Sequence, residues 1–501
     1  MNPLLQPKSG AAQHSRAEQA STFVLVLWIA FGLVSIALYF GSSMSLELRA
    51  ADNRVSGLAA EQAIEGAVRY VTSVLSDQIN VGSNGVVPDV STYLNEAVPV
   101  GESHFWLIGR DTNTTAIGGA QMSFGLVDEA SRLNVNSATS NMLAMLVQSM
   151  PRANPDIVGA ILDWRSTNGT GTYQTYYASR PQPYQSKSAP FESVDELRLL
   201  YGADMDTFIG EDANRNGILD PNEQDLNHDG QLEAGLIDYL TVYSREPNTT
   251  SNGQARVNIS SVTGSTGPLP DLLQNALGSS RAAQILTTLG LLSTGPVGPT
   301  TGGGGGAPGG PGGGGAGGPG TGGGGSNQPP VTVTRTFTSP LQFFRQSGMT
   351  ASEFGAISES LTVTNGPWIN GRVNINTASY EVLASLPGFE NSPELAQTLI
   401  DYRTSNPDKL GTIAWVVDAL GQNNSSALTG LQASDCLTTR SFQYTADIAA
   451  LGPNGRGYRR VRVVFDTSTG SPVIVYRQDL THLGWALGTQ TRQTWLAKAN
   501  R

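Results

Sequence analysis

The run EDANRNGILDPNEQDLNHDGQLEAGLIDYL, residues 211–240, concentrates the side chains best suited to chemistry. Its first half places Asp212, Asn214, Asn216, Gly217, Ile218, Asp220 and Glu223 at positions one, three, five, six, seven, nine and twelve of an EF-hand-type loop. Alternating oxygen side chains at that spacing converge on one hard cation, the glycine permits the sharp turn, and a terminal Glu completes the shell. Ile218 would offer only its backbone carbonyl. The second half starts again at Asp225, with Asn227, Asp229, Gly230, Gln231 and Glu233 in order. Its twelfth position is Leu236, so the closing acid is missing, and Asp238 is the nearby substitute. Only Gln224 separates the halves, which excludes two ordinary EF-hands with a helix between them. The spacing predicts two adjacent Ca2+ ions in one irregular loop, with a structural role. The competing reading is an Asn/Asp/Gly-rich surface loop built from Asx-turns, with no metal.

Other chemistry is thin. The four histidines, His14, His104, His228 and His482, have no metal-ligand spacing, and Cys436 stands alone. The Gly-rich tract lacks the Lys and the strand–helix context of a phosphate loop. No catalytic constellation emerges, so the chain reads as a non-enzyme. A formal net charge of -11 argues against a phosphate-binding surface. Leu386-Pro387-Gly388-Phe389 has the look of a helix-hairpin-helix turn. The place two residues after its glycine holds Glu390, whose charge would repel a phosphate.

The elements that must position these residues begin with Thr22 to Gly41, an uncharged apolar run long enough to cross a bilayer as a helix. Helical apolar spacing continues beyond it through Leu46, Leu48, Val55, Leu58, Ala59, Ile64, Val68, Val71 and Leu75. One long helix, half in lipid and half in water, is predicted, with the short basic leader cytoplasmic and the bulk outside. Strands follow around His104–Arg110. Then come helices over 139–165 and a capping-box start at Phe191–Leu197. Arg132-Leu133-Asn134-Val135-Asn136, Arg256-Val257-Asn258-Ile259-Ser260 and Arg372-Val373-Asn374-Ile375-Asn376 repeat one pattern, and the first and third lead into paired helices. A partly duplicated helical unit is expected. The chain ends in alternating segments around Phe442–Ile448, Val461–Phe465 and Val473–Tyr476, an antiparallel meander.

In its leader, apolar helix and continuing amphipathic helix, the chain resembles the pseudopilins of type II secretion systems. The order DE, LNVNSA, DWR, YY and FESVDEL over residues 126–200 is similar to the inserted helical domain of the minor pseudopilin K family. That resemblance implies an α+β fold: a pilin-like long N-terminal helix on an antiparallel sheet, with a large inserted helical domain containing helix-hairpin-helix-like repeats. It divides the chain into a leader (1–20), the transmembrane and amphipathic helix (21–80), and the first part of the pilin-like domain (81–125). An inserted helical domain with the calcium loop (126–299), a Gly-rich linker (300–330), a second helical unit (331–425) and a C-terminal sheet (426–501) complete it. It also implies prepilin-peptidase cleavage at Ala20–Ser21, although Ala20 replaces the usual Gly. The fifth mature residue is then Leu25 where most pilin-like proteins carry Glu. That absence marks the K family and implies a subunit at the pseudopilus tip, in the inner membrane with its bulk in the periplasm. The implied partners are the minor pseudopilins I and J, other pseudopilus and inner-membrane secretion subunits, the prepilin peptidase and the membrane, with no nucleic acid. The family's calcium binding agrees with the loop at 212–233. The different-class alternative is a DNA-uptake or surface-adhesion protein using the hairpin.

Overall fold

The apolar run lies within one helix, His14–Asn80, in the computed structural model, which describes residues 14–112, 122–168, 171–292 and 333–499. The Gly-rich tract at 300–330 and the first thirteen residues of the leader lie outside the described residues. The helix holds no proline, and at 67 residues it is about 100 Å long. It stops at Gly82, whose φ of +79° suits a glycine cap, as Ser83 N–H closes back onto the Gln78 carbonyl. Among the described residues it is the one helix long and apolar enough to cross a membrane, and none of that window is buried.

Only its second half packs. From Ser56 onward, Ala60, Ala63, Ile64, Ala67, Val68, Val71 and Leu75 are buried against a sheet. Leu46, Leu48, Val55 and Leu58, expected on the packing face, remain more than half exposed. The apolar pattern therefore outruns the contact: apart from Asp52, whose carboxylate pairs with Arg456, residues 42–55 form an exposed rod of roughly 20 Å. The seat begins where Gly452 and Gly457 let the backbone of a turn touch Ser56 and Gly57, an approach that a Cβ at either position would block.

The sheet runs Val98–Val100, Ser103–Ile108, Gln443–Leu451, Arg459–Asp466, Val473–Asp479, all antiparallel, with Val127–Asp128 added beside Gln443–Leu451. The predicted meander is present, and alternation decides its faces. Tyr444, Ala446, Ile448, Val461, Val463 and Phe465 face the long helix. The opposite face carries Gln443, Thr445, Asp447, Arg460 and Arg462, which are buried rather than solvated.

What buries them is the helical domain, whose apolar core runs continuously from Leu133 to Leu437. Each repeat of the Arg-x-Asn pattern is a two-residue strand paired in parallel with a Leu-Thr dipeptide. Leu133-Asn134 pairs with Leu240-Thr241, Val257-Asn258 with Leu361-Thr362, and Val373-Asn374 with Leu437-Thr438. In all three the Asn side chain accepts the N–H two residues on, and so does the Thr hydroxyl. The middle copy, too, is followed by a helix pair, Pro268–Leu277 and Ser279–Thr288. In the outer copies an arginine at the end of the second helix, Arg165 or Arg403, donates to main-chain carbonyls of the repeat. Phe191–Leu197 departs from expectation. Its capping box forms between Ser193 and Glu196, but the element is a six-residue 3-10 helix, Val194–Leu199, ended by extended Leu200.

Asp128 and Glu129 stand where sheet and domain meet. Asp128 accepts from Ser441 Oγ, Thr377 Oγ1 (2.6 Å), Asn374 Nδ2 (2.8 Å) and Ala130 N–H (2.7 Å). Glu129 accepts from Thr241, Thr445 and Arg132. Both are buried. Replacing Asp128 with Ala would strand three side-chain donors, two of them buried and Thr377 half-buried, at a cost on the order of 3 kcal/mol. Denaturant unfolding of the detergent-solubilised full chain should show that loss, with Asp128→Asn recovering part of it.

Candidate metal centre and its seat on the sheet

Residues 209–211 and 233–235 run antiparallel, closing the acidic stretch into one excursion. Glu211 N–H donates to the Glu233 carbonyl (2.8 Å) and Gly235 N–H to that of Ile209 (2.9 Å). Gly210, at φ +67°, has no room for a Cβ against this partner strand. Inside the excursion the same loop is built twice, thirteen residues apart. In the first, Asp212 accepts from the N–H of Asn216 (2.9 Å) and Gly217 (2.7 Å). In the second, Asp225 accepts from His228 (2.6 Å) and Gly230 (2.9 Å). Asn214 Nδ2 donates to Asp220 (2.7 Å) as Asn227 Nδ2 donates to Glu233 (2.7 Å). The backbone agrees, with positive φ at Arg215 and Gly217 and again at His228 and Gly230. Ile218 and Gln231 occupy equivalent places, where the main-chain carbonyl is the available ligand.

Beyond this geometry the two loops part. Asp212, Asn214, Asn216 and Asp220 are buried, with Glu223 half-buried and accepting from Asn214 and Asp220 N–H. Asn227, Asp229 and Gln231 are exposed, with Asp225 and Glu233 half-buried. Asp238, expected to complete the second loop, does not join it. Its carboxylate pairs with Arg110 (3.2 Å) near the first loop. Burial pushes Asp238 up, but Arg110, Arg132 and Arg462 outweigh it and hold it below the ordinary carboxylate value.

The donor set suits a hard cation in one respect. Each loop keeps a buried acceptor oxygen with no hydrogen-bond partner, Asn214 Oδ1 in the first and Glu233 Oε2 in the second. Burial raises the carboxyls of Asp212, Glu223 and Glu233, with Asp238 adding to the effect at Asp212 and Glu211 at Glu233. Burial is the largest effect at all three, and neighbouring carboxylates add to it. Among the described residues no group of three or more His, Cys, Asp or Glu is gathered tightly enough to hold a metal alone. Asn oxygens and main-chain carbonyls must therefore complete any shell.

Sequence reasoning missed the first loop's surroundings. Arg460, wholly buried, forms a two-point pair with Asp447 (2.7 Å each) and donates onward to the carbonyls of Asn214 and Arg215 (2.7 Å to the latter). Burial would push Asp447 up, but Arg460 and Arg462 hold it down to about 2. Arg110 also donates to the Arg215 carbonyl (2.9 Å). Asn214 and Asn216 side chains donate to the carbonyls of Trp485 (3.4 Å) and Ala486 (3.1 Å). The strand alternation that places Arg460 opposite the apolar face was the one available signal.

The hairpin glycine Gly388 is spent on packing. Its N–H donates to Glu390 Oε2 (2.9 Å), and a Cβ there would overlap Ala427. Glu390 Oε1 accepts from Asn141 on the first helix pair. The amide that a phosphate-binding hairpin would present is taken by an internal carboxylate.

A long N-terminal helix seated on a small antiparallel sheet, with a helical insertion between strands of that sheet, fits the pilin-like class. Residues 125–208 match the family model for type II secretion system (T2SS), protein K. That match falls on the stretch whose motifs resemble the minor pseudopilin K family. No curated protein matches the chain. The crystal structure of the GspK-GspI-GspJ complex from the enterotoxigenic Escherichia coli type 2 secretion system aligns over 86% of this chain and 99% of the matched one. Identity is 8% and the TM-score 0.33, a likeness too distant to carry an argument.

Gly217 and Gly230 test the unequal loops. At Gly217 (φ +83°) a Cβ would lie 2.8 Å from Arg110 Cδ, whereas at Gly230 (φ +73°) it would meet open space. Gly230→Ala should cost about 1 kcal/mol from backbone strain alone, and Gly217→Ala about 2–3 kcal/mol. Chemical denaturation of the two variants side by side reads the difference.

Proposed function

We propose that this chain is a minor pseudopilin of a type II secretion system, made as a single-span inner-membrane precursor with its bulk in the periplasm. The observation that carries the reading is the protein K match at 125–208, lying between strands of a sheet that seats one uninterrupted N-terminal helix. The subunit would be cut by the prepilin peptidase between Ala20 and Ser21. Both fall early in the long helix, and their side chains lie outside the described residues. With Leu25 in place of a glutamate, it has no carboxylate to offer the amine of a subunit above, which supports a place at the tip. The bare helix face at Leu46, Leu48, Val55 and Leu58 supplies the surface for I- and J-type sister subunits. Its role is assembly rather than catalysis, helping to initiate the pseudopilus and export across the outer membrane. The occupied amide of Gly388 gives no support to a DNA-uptake role.

Calcium is the cofactor of this reading. The first ion would be held by Asp212, Asn214, Asn216, the Ile218 carbonyl, Asp220 and Glu223, and the second by Asp225, Asn227, Asp229, the Gln231 carbonyl and Glu233. When bound, the ions neutralise carboxylates that the fold forces together, so their binding energy adds to folding.

Two measurements test this. Tagged full-length chain extracted from membranes in mild detergent should co-purify with its I- and J-type subunits. Mass spectrometry should find a mature terminus at Ser21, and an intact leader or a cut near Ser42 would overturn the processing assignment. Separately, excess EGTA should lower the melting temperature of the full chain by several degrees, and calcium but not magnesium should restore it. A thermal transition indifferent to EGTA would sink the metal assignment.

A further inference from the structure

The two acidic loops share a backbone but not a neighbourhood. The polar contacts of the second are made within the excursion, chiefly with itself and with Glu211, and most of its residues are exposed. The first is held from three sides, two of them formed by parts of the chain more than a hundred residues away. From the sheet, Arg460, and from just past the end of strand Ser103–Ile108, Arg110, donate to its carbonyls at Asn214 and Arg215. Along the C-terminal segment, Trp485 and Ala486 accept from its Asn side chains, and Ala486 and Leu487 are themselves packed on the sheet residues Trp106 and Ile108. On the helical side, the buried guanidinium of Arg215 reaches Asp195 (3.7 Å). Asp195 in turn accepts from Tyr476 (3.3 Å) and Gln478 (3.0 Å) on the outermost strand.

From this arrangement we infer that the first loop is a cation-dependent latch, and that its occupancy, not that of the second loop, sets how firmly the helical domain is seated on the sheet. The inference rests on the calcium reading above. Its physical basis is the geometry of Arg460. That side chain has no access to water and spends its donors on Asp447 and on two loop carbonyls. Those carbonyls hold their positions only while Asp212, Asp220 and Glu223 stay folded toward one another, which a cation favours and mutual repulsion opposes. Relaxation of the emptied loop would leave buried guanidinium N–H groups without acceptors. That outcome is costly, so the contact loosens as a unit rather than bond by bond. Among the described residues the second loop has no comparable partner outside the excursion, so it can fill or empty without reaching the sheet.

The test uses the full-length chain in detergent micelles. Calorimetric titration with CaCl2 counts binding, and hydrogen exchange with and without EGTA follows the peptides covering 459–466 and 480–488. Wild type should exchange about tenfold faster in those peptides after EGTA. Asp225→Ala should bind less calcium yet keep that response. Asp212→Ala should exchange fast in both conditions. Arg460→Lys, which keeps a charge but cannot span Asp447 and two carbonyls, should still bind calcium while the peptides at 480–488 stop responding to it. Calcium binding with exchange changes confined to 211–235 would overturn the latch and leave the metal assignment standing. Absence of binding in the titration would overturn both.

Discussion

The buried pair Asp128–Glu129 is the constraint on which the architecture depends. Adjacent carboxylates taken out of water are unfavourable unless every lone pair finds a donor. Here the donors come from all the bodies that must meet. Ser441 and Thr445 belong to the sheet region, Thr241 and Arg132 to the first Arg-x-Asn clasp, and Asn374 and Thr377 to the third. Even with four donors, burial leaves Asp128 above its ordinary carboxylate value, so the site has no surplus to lose. Burial of this kind adds little net stability, yet it penalises any arrangement that leaves one donor set out. The pair therefore selects one docking of the helical domain among the many that its apolar core alone would permit.

Much of this was legible in the residue pattern, and the failures have physical causes. The double acidic loop was readable because its spacing is imposed by local geometry, and both copies fold the same way. The strands around Tyr444 and Val463 were readable because one face is apolar. Their other face was not. Alternation of Thr445, Asp447, Arg460 and Arg462 with apolar residues is the usual mark of a solvated surface, and no local rule says that a distant insertion covers it. The parallel clasps escaped because two-residue strands are too short to show a period. Leu240-Thr241 and Leu361-Thr362 each precede the next repeat in sequence, yet each closes the one before. Asp238 was assigned to the second loop on proximity in sequence, but the charge of Arg110 decided its place.

The long helix shows the same limit from the other side. Its apolar spacing continues unbroken from the lipid-length run to Leu75, yet the chain's own sheet takes only the portion after Ser56. Periodicity reports which face is apolar, not what will cover it. The boundary is set instead by small residues: Gly452 and Gly457 admit Ser56 and Gly57, and among the described residues none covers Leu46 or Leu48. The exposed leucines lie between a membrane-length segment and a folded body, an apolar surface that the other described residues leave uncovered.

These facts explain why the second face of the sheet is charged. The apolar face of the central strands is taken by the helix, and the inserted domain is joined through the other side. An apolar joint there would have bound tightly and with little preference for register. A joint of Asp447, Arg460 and Arg462 meeting main-chain carbonyls binds with strict geometry and small net gain, because desolvation offsets most of the attraction. Such a joint is sensitive to displacements of its acceptors by a fraction of an ångström. Those acceptors, the carbonyls of Asn214 and Arg215, sit on the loop that carries Asp212, Asp220 and Glu223, and that shared position is what the proposed latch uses. The acidic excursion is therefore best understood through the sheet beneath it, since the same loop on an exposed surface, as its twin at 225–233 shows, has nothing to hold.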